Sequence, residues 1–329
     1  MRVLKRRKQA TDPSGLSLYY ASDIHGSELC WRKFLGAAKA YGVEVLIMGG
    51  DLAGKAVVPV LSDGEEFTAE FLGERRHGRG EQALEQLLAA IRFNGMYPWL
   101  ASAGELEAAR HDPAAREEVF MRVLRSELRR WVDIADGRVS SEGRTPETFV
   151  MAGNDDPLFV DDILAASSTI VSCDARIVRV QDHEMLSFSY TNRTPWDSPR
   201  ELDEEDLYRR LKDLADQLET PERSIFNLHV PPYDTGLDTA RKLNPDFTPV
   251  LEGGHPVSIP VGSTAVRHII EEFRPALALH GHIHESAAST KLGSTVLVNP
   301  GSEYNTGQIH GVVVRFADGQ VDSHQLVVG

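Results

Sequence analysis

Leu16-Ser17-Leu18-Tyr19-Tyr20 is an apolar run that gives way at once to Ala21-Ser22-Asp23-Ile24-His25-Gly26. The run reads as a buried strand. A helix is predicted to follow, capped by Ser27 and stopped by Gly42. Asp23 and His25 then fall at the carboxyl end of a strand, where open α/β sheets place their ligands. A carboxylate and an imidazole two residues apart at such an exit can grip one metal ion together. A helix-capping Asp is the plain alternative, and the triplet alone does not choose.

The pattern recurs. Val43–Met48 reads as a second strand and runs into Gly49-Gly50-Asp51, where the glycines permit close approach of backbone and ligand. Thr148–Ala152 reads as a third, ending in Gly153-Asn154-Asp155-Asp156. Ser224–Leu228 ends on His229 and is stopped by Pro231-Pro232. Leu277–Leu279 leads into His280-Gly281-His282-Ile283-His284-Glu285. Taken singly, each polar residue serves equally well as a cap, a turn former or a satisfied histidine. Taken together, Asp23, His25, Asp51, Asn154, His229, His282 and His284 form a mixed Asp/Asn/His donor set. That set suits manganese, iron or zinc better than an all-oxygen calcium site.

Between the second and third strands, residues 62–147 break the α/β rhythm. Ala83, Leu84, Leu87, Leu88 and Ile91 recur at helical spacing, as do Val119, Phe120, Val123, Leu124, Leu128 and Val132. The segment is therefore expected to be a helical insertion, with at least one helix serving as a crossover between parallel strands. A lid, a surface for a homo-oligomer and plain packing are all open uses for it. Further on, 175–180 and 185–190 read as a hairpin with His183 exposed in its turn. A helix carries Leu207, Leu211, Leu214 and Leu218, and a second starts at Ser263. The Gly- and Pro-rich stretch from Tyr233 to Gly262 reads as a long functional loop. The last three strands are expected to be antiparallel.

The formal charge of −14 argues against general affinity for nucleic-acid polymers or anionic membranes. Cys30 and Cys173 cannot build a disulfide framework. Residues 1–15 form a polar tail without the apolar core of a signal peptide, and no window is long and apolar enough to span a bilayer. A cytoplasmic location is the simplest expectation.

In this order, D-x-H, G-D, G-N, H and G-H-x-H, the motifs resemble the calcineurin-like metallophosphoesterase superfamily. Thr194-Pro195, His229-Val230-Pro231-Pro232, Thr235-Gly236, Asp238, Gly281–Ser286 and Asn299-Pro300-Gly301-Ser302 resemble its Icc-related predicted phosphoesterases. The likeness covers about residues 16–316 and skips the insertion. It implies one domain over 16–329 with an α/β fold, a four-layer α/β/β/α sandwich of two mixed sheets. It also implies two divalent ions. Asp23, His25 and His284 would hold one, Asn154, His229 and His282 the other, and Asp51 would bridge them. The family's usual histidine after the Asn is Asp155 here, which leaves the proton donor open.

The implied reaction is hydrolysis of a small-molecule phosphodiester or nucleotide-like phosphoester by a hydroxide bridging the two metals. Asp51 and Asp155 are the expected catalytic positions. Asp155, beside two cations, is expected to orient a neighbouring group rather than to donate a proton. Arg193 and His255 are candidates for contacting the phosphate. The rival reading is a non-catalytic binding or scaffold protein on the same fold.

Overall fold

Strands that are apolar along their whole length must be covered on both faces, and this chain does so by stacking sheets and helices. The computed structural model describes residues 15–139 and 145–329; of the expected tail at 1–15, only Gly15 lies within them. The chain opens with β1 (Ser17–Ala21), α1 (Glu28–Tyr41) and β2 (Val45–Met48). Next come β3 (Val57–Asp63), β4 (Glu66–Phe71), β5 (Glu74–Arg79), α2 (Glu81–Phe93), β6 (Tyr97–Ala101), α3 (Ala103–His111) and α4 (Pro113–Val139). The main body resumes with β7 (Glu147–Val150), α5 (Val160–Ala165), β8 (Ile170–Ser172), β9 (Arg176–Val180) and β10 (His183–Phe188). Two short strands, β11 (Thr191–Asn192) and β12 (Glu201–Leu202), precede α6 (Glu204–Ala215) and β13 (Ile225–Leu228). Then β14 (Thr239–Arg241), β15 (Leu251–Glu252), β16 (His255–Pro256) and β17 (Ser258–Pro260) lead to α7 (Thr264–Phe273) and β18 (Leu277–Leu279). The chain closes with β19 (Ala288–Leu292), β20 (Thr295–Asn299), β21 (His310–Ala317) and β22 (Gln320–Val328).

Two six-stranded mixed sheets dominate, ordered β22-β21-β1-β2-β7-β8 and β19-β20-β18-β13-β10-β9. In the first, β1, β2, β7 and β8 run parallel while β21 and β22 are antiparallel. In the second, β10, β13, β18 and β20 run parallel between antiparallel β9 and β19. Alternate residues of each strand point to opposite faces. Leu18, Tyr20, Val45, Ile47 and Phe149 of the first sheet thus share one buried cluster with Met185, Ile225, Leu277 and Val298 of the second. Tyr19, Ala21, Leu46 and Met48 face the other way, onto Trp31 and Phe34 of α1 and Leu124 and Leu128 of α4. Leu186, Phe226 and Leu297 pack on Leu207 and Leu211 of α6 and Ile269 and Ile270 of α7.

Local signals explain α1. The Ser27 hydroxyl accepts from the Cys30 N–H at 3.3 Å, and Gly42 closes the helix in the left-handed region at φ 65°. Both cysteines are buried and outside any disulfide.

Three expectations change. The stretch 62–147 is not simply helical, because β3–β6 form a separate four-stranded sheet ordered β5-β4-β3-β6. Within it β4 alternates, so Phe67, Ala69 and Phe71 are buried while Glu66 and Glu70 are exposed. His183 is buried rather than idle in a turn; one ring nitrogen is 2.8 Å from the Arg223 carbonyl and the ring lies against Phe316. The turn is made by Gln181, at φ 51°, and Asp182. The stretch from Tyr233 to Gly262 carries the small pairs β14–β17 and β15–β16.

Arg200, 1% exposed, ties the loop after β7 to the second half of the chain. Its guanidinium donates to the Asp174 and Asp161 carboxylates at 2.9 Å each and to the Asp156 carbonyl at 2.9 Å. Removing it leaves Asp174 buried without its cation. Arg200→Ala is expected to lower the unfolding free energy by about 3–5 kcal/mol, the cost of breaking a buried ion pair from one side. Urea unfolding checks this, and a loss under ~1 kcal/mol would contradict it.

Candidate metal centre

The parallel strands of both sheets end at one edge of the molecule, and their exits converge. β1 delivers Asp23 and His25, β2 delivers Asp51, and β7 delivers Asn154 and Asp155. From the second sheet, β13 delivers His229 and β18 delivers His282 and His284. Asp23, His25 and His284 offer donor atoms within 4.8 Å of one another, and so do Asp51, His229 and His282. Asn154 joins the second group through its side-chain oxygen, 3.1 Å from His229 Nε2 and 2.8 Å from His282 Nδ1. Asp51 lies between the groups, its Oδ2 3.4 Å from His229 Nε2 and 3.5 Å from His25 Nε2.

The backbone is bent to achieve this. Asp23 (φ 58°), His25 (φ 35°), Asp51 (φ 51°) and His282 (φ 66°) all sit in the left-handed region, which side chains other than glycine avoid. Such strain persists only where the surroundings over-determine it, and it gathers at functional sites. The glycines of the motifs supply space. A Cβ on Gly153 would lie 2.2 Å from Asp51 Oδ1, and one on Gly281 would lie 2.2 Å from Asp23 Oδ2.

Hydrogen bonds aim the donors. The His282 N–H donates to Asp23 at 3.0 Å, and the Asp155 N–H donates to Asp51 Oδ1 at 3.0 Å. His229 Nδ1 donates to the Gly49 carbonyl at 2.8 Å, which leaves Nε2 to face Asp51 and Asn154. Behind them, the buried Asp156 carboxylate accepts N–H donors from Leu52 at 3.0 Å, Ala53 at 2.7 Å and Gly153 at 2.8 Å, clasping the two loops together. Burial and the neighbouring Asp51 charge push Asp156 up to about 7.

The electrostatics describe a pocket short of positive charge. Burial disfavours ionised Asp23 and Asp51, yet His284, His229 and His25 outweigh it and hold both carboxyls below their usual range. Burial would likewise lower His229, but Asp51 and Asp23 raise it to about 10. His282 is pushed down to about 4 by burial and by the His229 charge, and burial also lowers His25. His25 Nε2 and His284 Nε2 meet at 3.1 Å, an approach that makes sense when both lone pairs look at one cation. Two buried carboxylates, a side-chain amide and four imidazoles around one pocket fit divalent cations.

Asp155 is tied elsewhere as well. Its Oδ2 is 2.5 Å from Lys55 Nζ and 3.9 Å from His25 Nδ1, and its Oδ1 accepts from Ser198 at 2.8 Å. Burial works against the Lys55 charge, but the bond to Asp155 and its charge outweigh that and raise the ammonium's pKa. The other two candidates are not brought into the cluster. Arg193 is exposed and donates to Asp203 at 3.0 Å, and His255 is exposed on the small β15–β16 pair. Lys55, Asp156 and Arg200 escape the sequence reading. For Lys55 there was a weak signal, a cation closing the loop Asp51-Leu52-Ala53-Gly54-Lys55.

No family model matches the chain. An uncharacterized protein of Methanocaldococcus jannaschii is 32% identical over 157 residues, which are 47% of this chain and 63% of that protein. The match thus spans less than two thirds of that relative's length. Among solved structures, a protein of Thermus thermophilus aligns over 96% of this chain and 99% of its own, with TM-score 0.53 and 14% identity. Another crystal structure aligns over 96% and 98%, with TM-score 0.54 and 15% identity. At such identities the likeness is one of fold. The shared architecture is mixed α/β with several mixed sheets, consistent with the fold that the motifs imply. Among the described residues, no helix is long and apolar enough to cross a membrane.

A metal taking the Nε2 lone pair of His229 must displace the proton that His229 holds up to about pH 10. Titrating manganese into chelator-treated protein at pH 7.5 is therefore expected to release protons, and apparent affinity is expected to rise from pH 6 to 9. Calorimetry in two buffers of different ionisation enthalpy reads this directly. Identical heats in both buffers would contradict it.

Proposed function

We propose that the chain is a metal-dependent phosphoesterase, a hydrolase acting on a small phosphodiester or nucleotide-like substrate. The observation that carries the reading is the convergence of seven donor side chains from five strand exits, four of them on left-handed backbone. Asp23, His25 and His284 would hold one cation, and Asn154, His229 and His282 the other, with Asp51 between them. Bound there, two divalent cations would lower the pKa of a shared water and neutralise the oxygens of a phosphate. The helix, sheet, sheet, helix stacking that this reading expects is supported by the three buried clusters, one between the main sheets and one outside each.

The remaining roles belong to the chain's own groups. Lys55, kept protonated by Asp155, supplies an ammonium beside the pocket where the family's histidine is missing, and can meet a phosphate or leaving-group oxygen. Asp155 holds Lys55 and accepts from Ser198, so it positions the cation. Gly49, through His229 Nδ1, fixes which imidazole nitrogen looks inward. A scaffold protein would have no use for strained donors, each of which costs about 1–3 kcal/mol.

With manganese supplied, turnover of bis(p-nitrophenyl) phosphate is expected. Asp51→Asn should lose at least ~100-fold, the upper end of what losing a mere orienting group costs. Asp155→Asn should lose less than ~10-fold, against the ~10²–10⁴-fold typical of a general acid. No turnover with any divalent metal, or an Asp51→Asn protein as active as the parent, would sink the reading.

A further inference from the structure

The small sheet β5-β4-β3-β6 is covered by α2 on one face and only in part by α3 and α4 on the other. Val58, Val60, Phe67 and Phe71 pack on Leu87, Leu88 and Ile91 of α2. On the opposite face Trp99 is buried and Val57 and Leu61 pack against the same core as Val119 and Phe120 of α4, while Val57, Pro59 and Leu61 stay part-exposed. A cavity of about 760 Å³ lies between. That is within the ~300–1,000 Å³ of pockets that take small organic ligands.

Charge makes the cavity selective. In a chain of net charge −14, its rim carries Lys55, Arg75, Arg110 and Arg116 against the single carboxylate of Glu70. Arg75 and Arg116 make no ion pair among the described residues, and Arg110 reaches only Glu107, at 3.9 Å. Lys55 joins the cavity to the metal centre, since it lines the one and its Nζ lies 2.5 Å from Asp155 beside the other. Flat apolar walls with an excess of cations at the mouth suit a ligand that is aromatic at one end and anionic at the other.

We propose that this cavity binds the organic arm of the substrate, an aromatic group carrying a negative charge beyond the phosphoester that is cleaved. The aromatic group lies along Trp99 and Phe120, and its further charge meets Arg75, Arg110 and Arg116. Lys55 marks where the arm passes to the metal centre. The class is that of nucleotide-like esters with two or more anionic groups. This rests on the phosphoesterase reading, which it deepens.

The test uses ADP as probe and chelator-treated full-length protein, so that binding is read by calorimetry without turnover. ADP is expected to bind, and uncharged adenosine at least ~10-fold more weakly. The double variant Arg110→Ala/Arg116→Ala, whose side chains are exposed, should weaken ADP at least ~10-fold, as expected for lost charge-assisted hydrogen bonds. Trp99→Leu should weaken both probes, whereas Arg209→Ala, on distant α6, should change neither. Absence of ADP binding, or equal affinity in the parent and the double variant, would overturn the proposal. Failure of the phosphoesterase reading shows separately, as absence of bis(p-nitrophenyl) phosphate turnover by the manganese-loaded parent protein.

Discussion

Asp23 and Asp51 are 1% and 2% exposed, and they lie on either side of one pocket. Carboxylates so far from water need positive charge at contact distance, because burying an unpaired ion costs several kcal/mol even after relaxation. Without metal, the imidazoles provide it in part, with His229 holding a proton well above its ordinary range. Among the described residues no lysine or arginine enters the donor cluster to finish the task; Lys55 stands beside it, on Asp155. Divalent cations would resolve the imbalance and would leave the histidines as neutral ligands.

The two-sheet architecture explains how such a pocket is built. Parallel strands point their carboxyl ends the same way, so β1, β2 and β7 deliver donors from one sheet while β13 and β18 deliver them from the other. The inter-sheet core holds these exits at fixed spacing. Asp156 and Arg200 then lock the loops after β2 and β7, one through three backbone N–H groups and the other through two carboxylates. Strain at Asp23, His25, Asp51 and His282 is supported by this frame.

The strand exits were legible in the sequence for a physical reason. Strands covered on both faces read as unbroken apolar runs, and a polar residue at the end of such a run stands out. The donors at these exits lie close together, though periodicity alone did not select two stacked sheets. The strands of the insertion were hidden because β5, Glu74-Arg75-Arg76-His77-Gly78-Arg79, has almost no buried side, so nothing in it alternates. The helical spacing of 83–91 and 119–132 dominated its neighbourhood. Asp156, His183 and Arg200 take their roles from partners far along the chain, which no local pattern reveals, and Lys55 had only its place at the end of the Asp51 loop to mark it. Arg193 and His255 show the converse. Asp203 engages one, and an exposed strand pair carries the other.

The central claim is that this pocket holds two cations, one on each donor group with Asp51 shared. A crystal structure of protein grown with manganese, with anomalous data collected at the manganese edge, tests it most directly. The account predicts two anomalous peaks, one touching Asp23, His25 and His284 and one touching Asn154, His229 and His282, with Asp51 in contact with both. A single peak at saturating metal, or peaks away from these side chains, would contradict it.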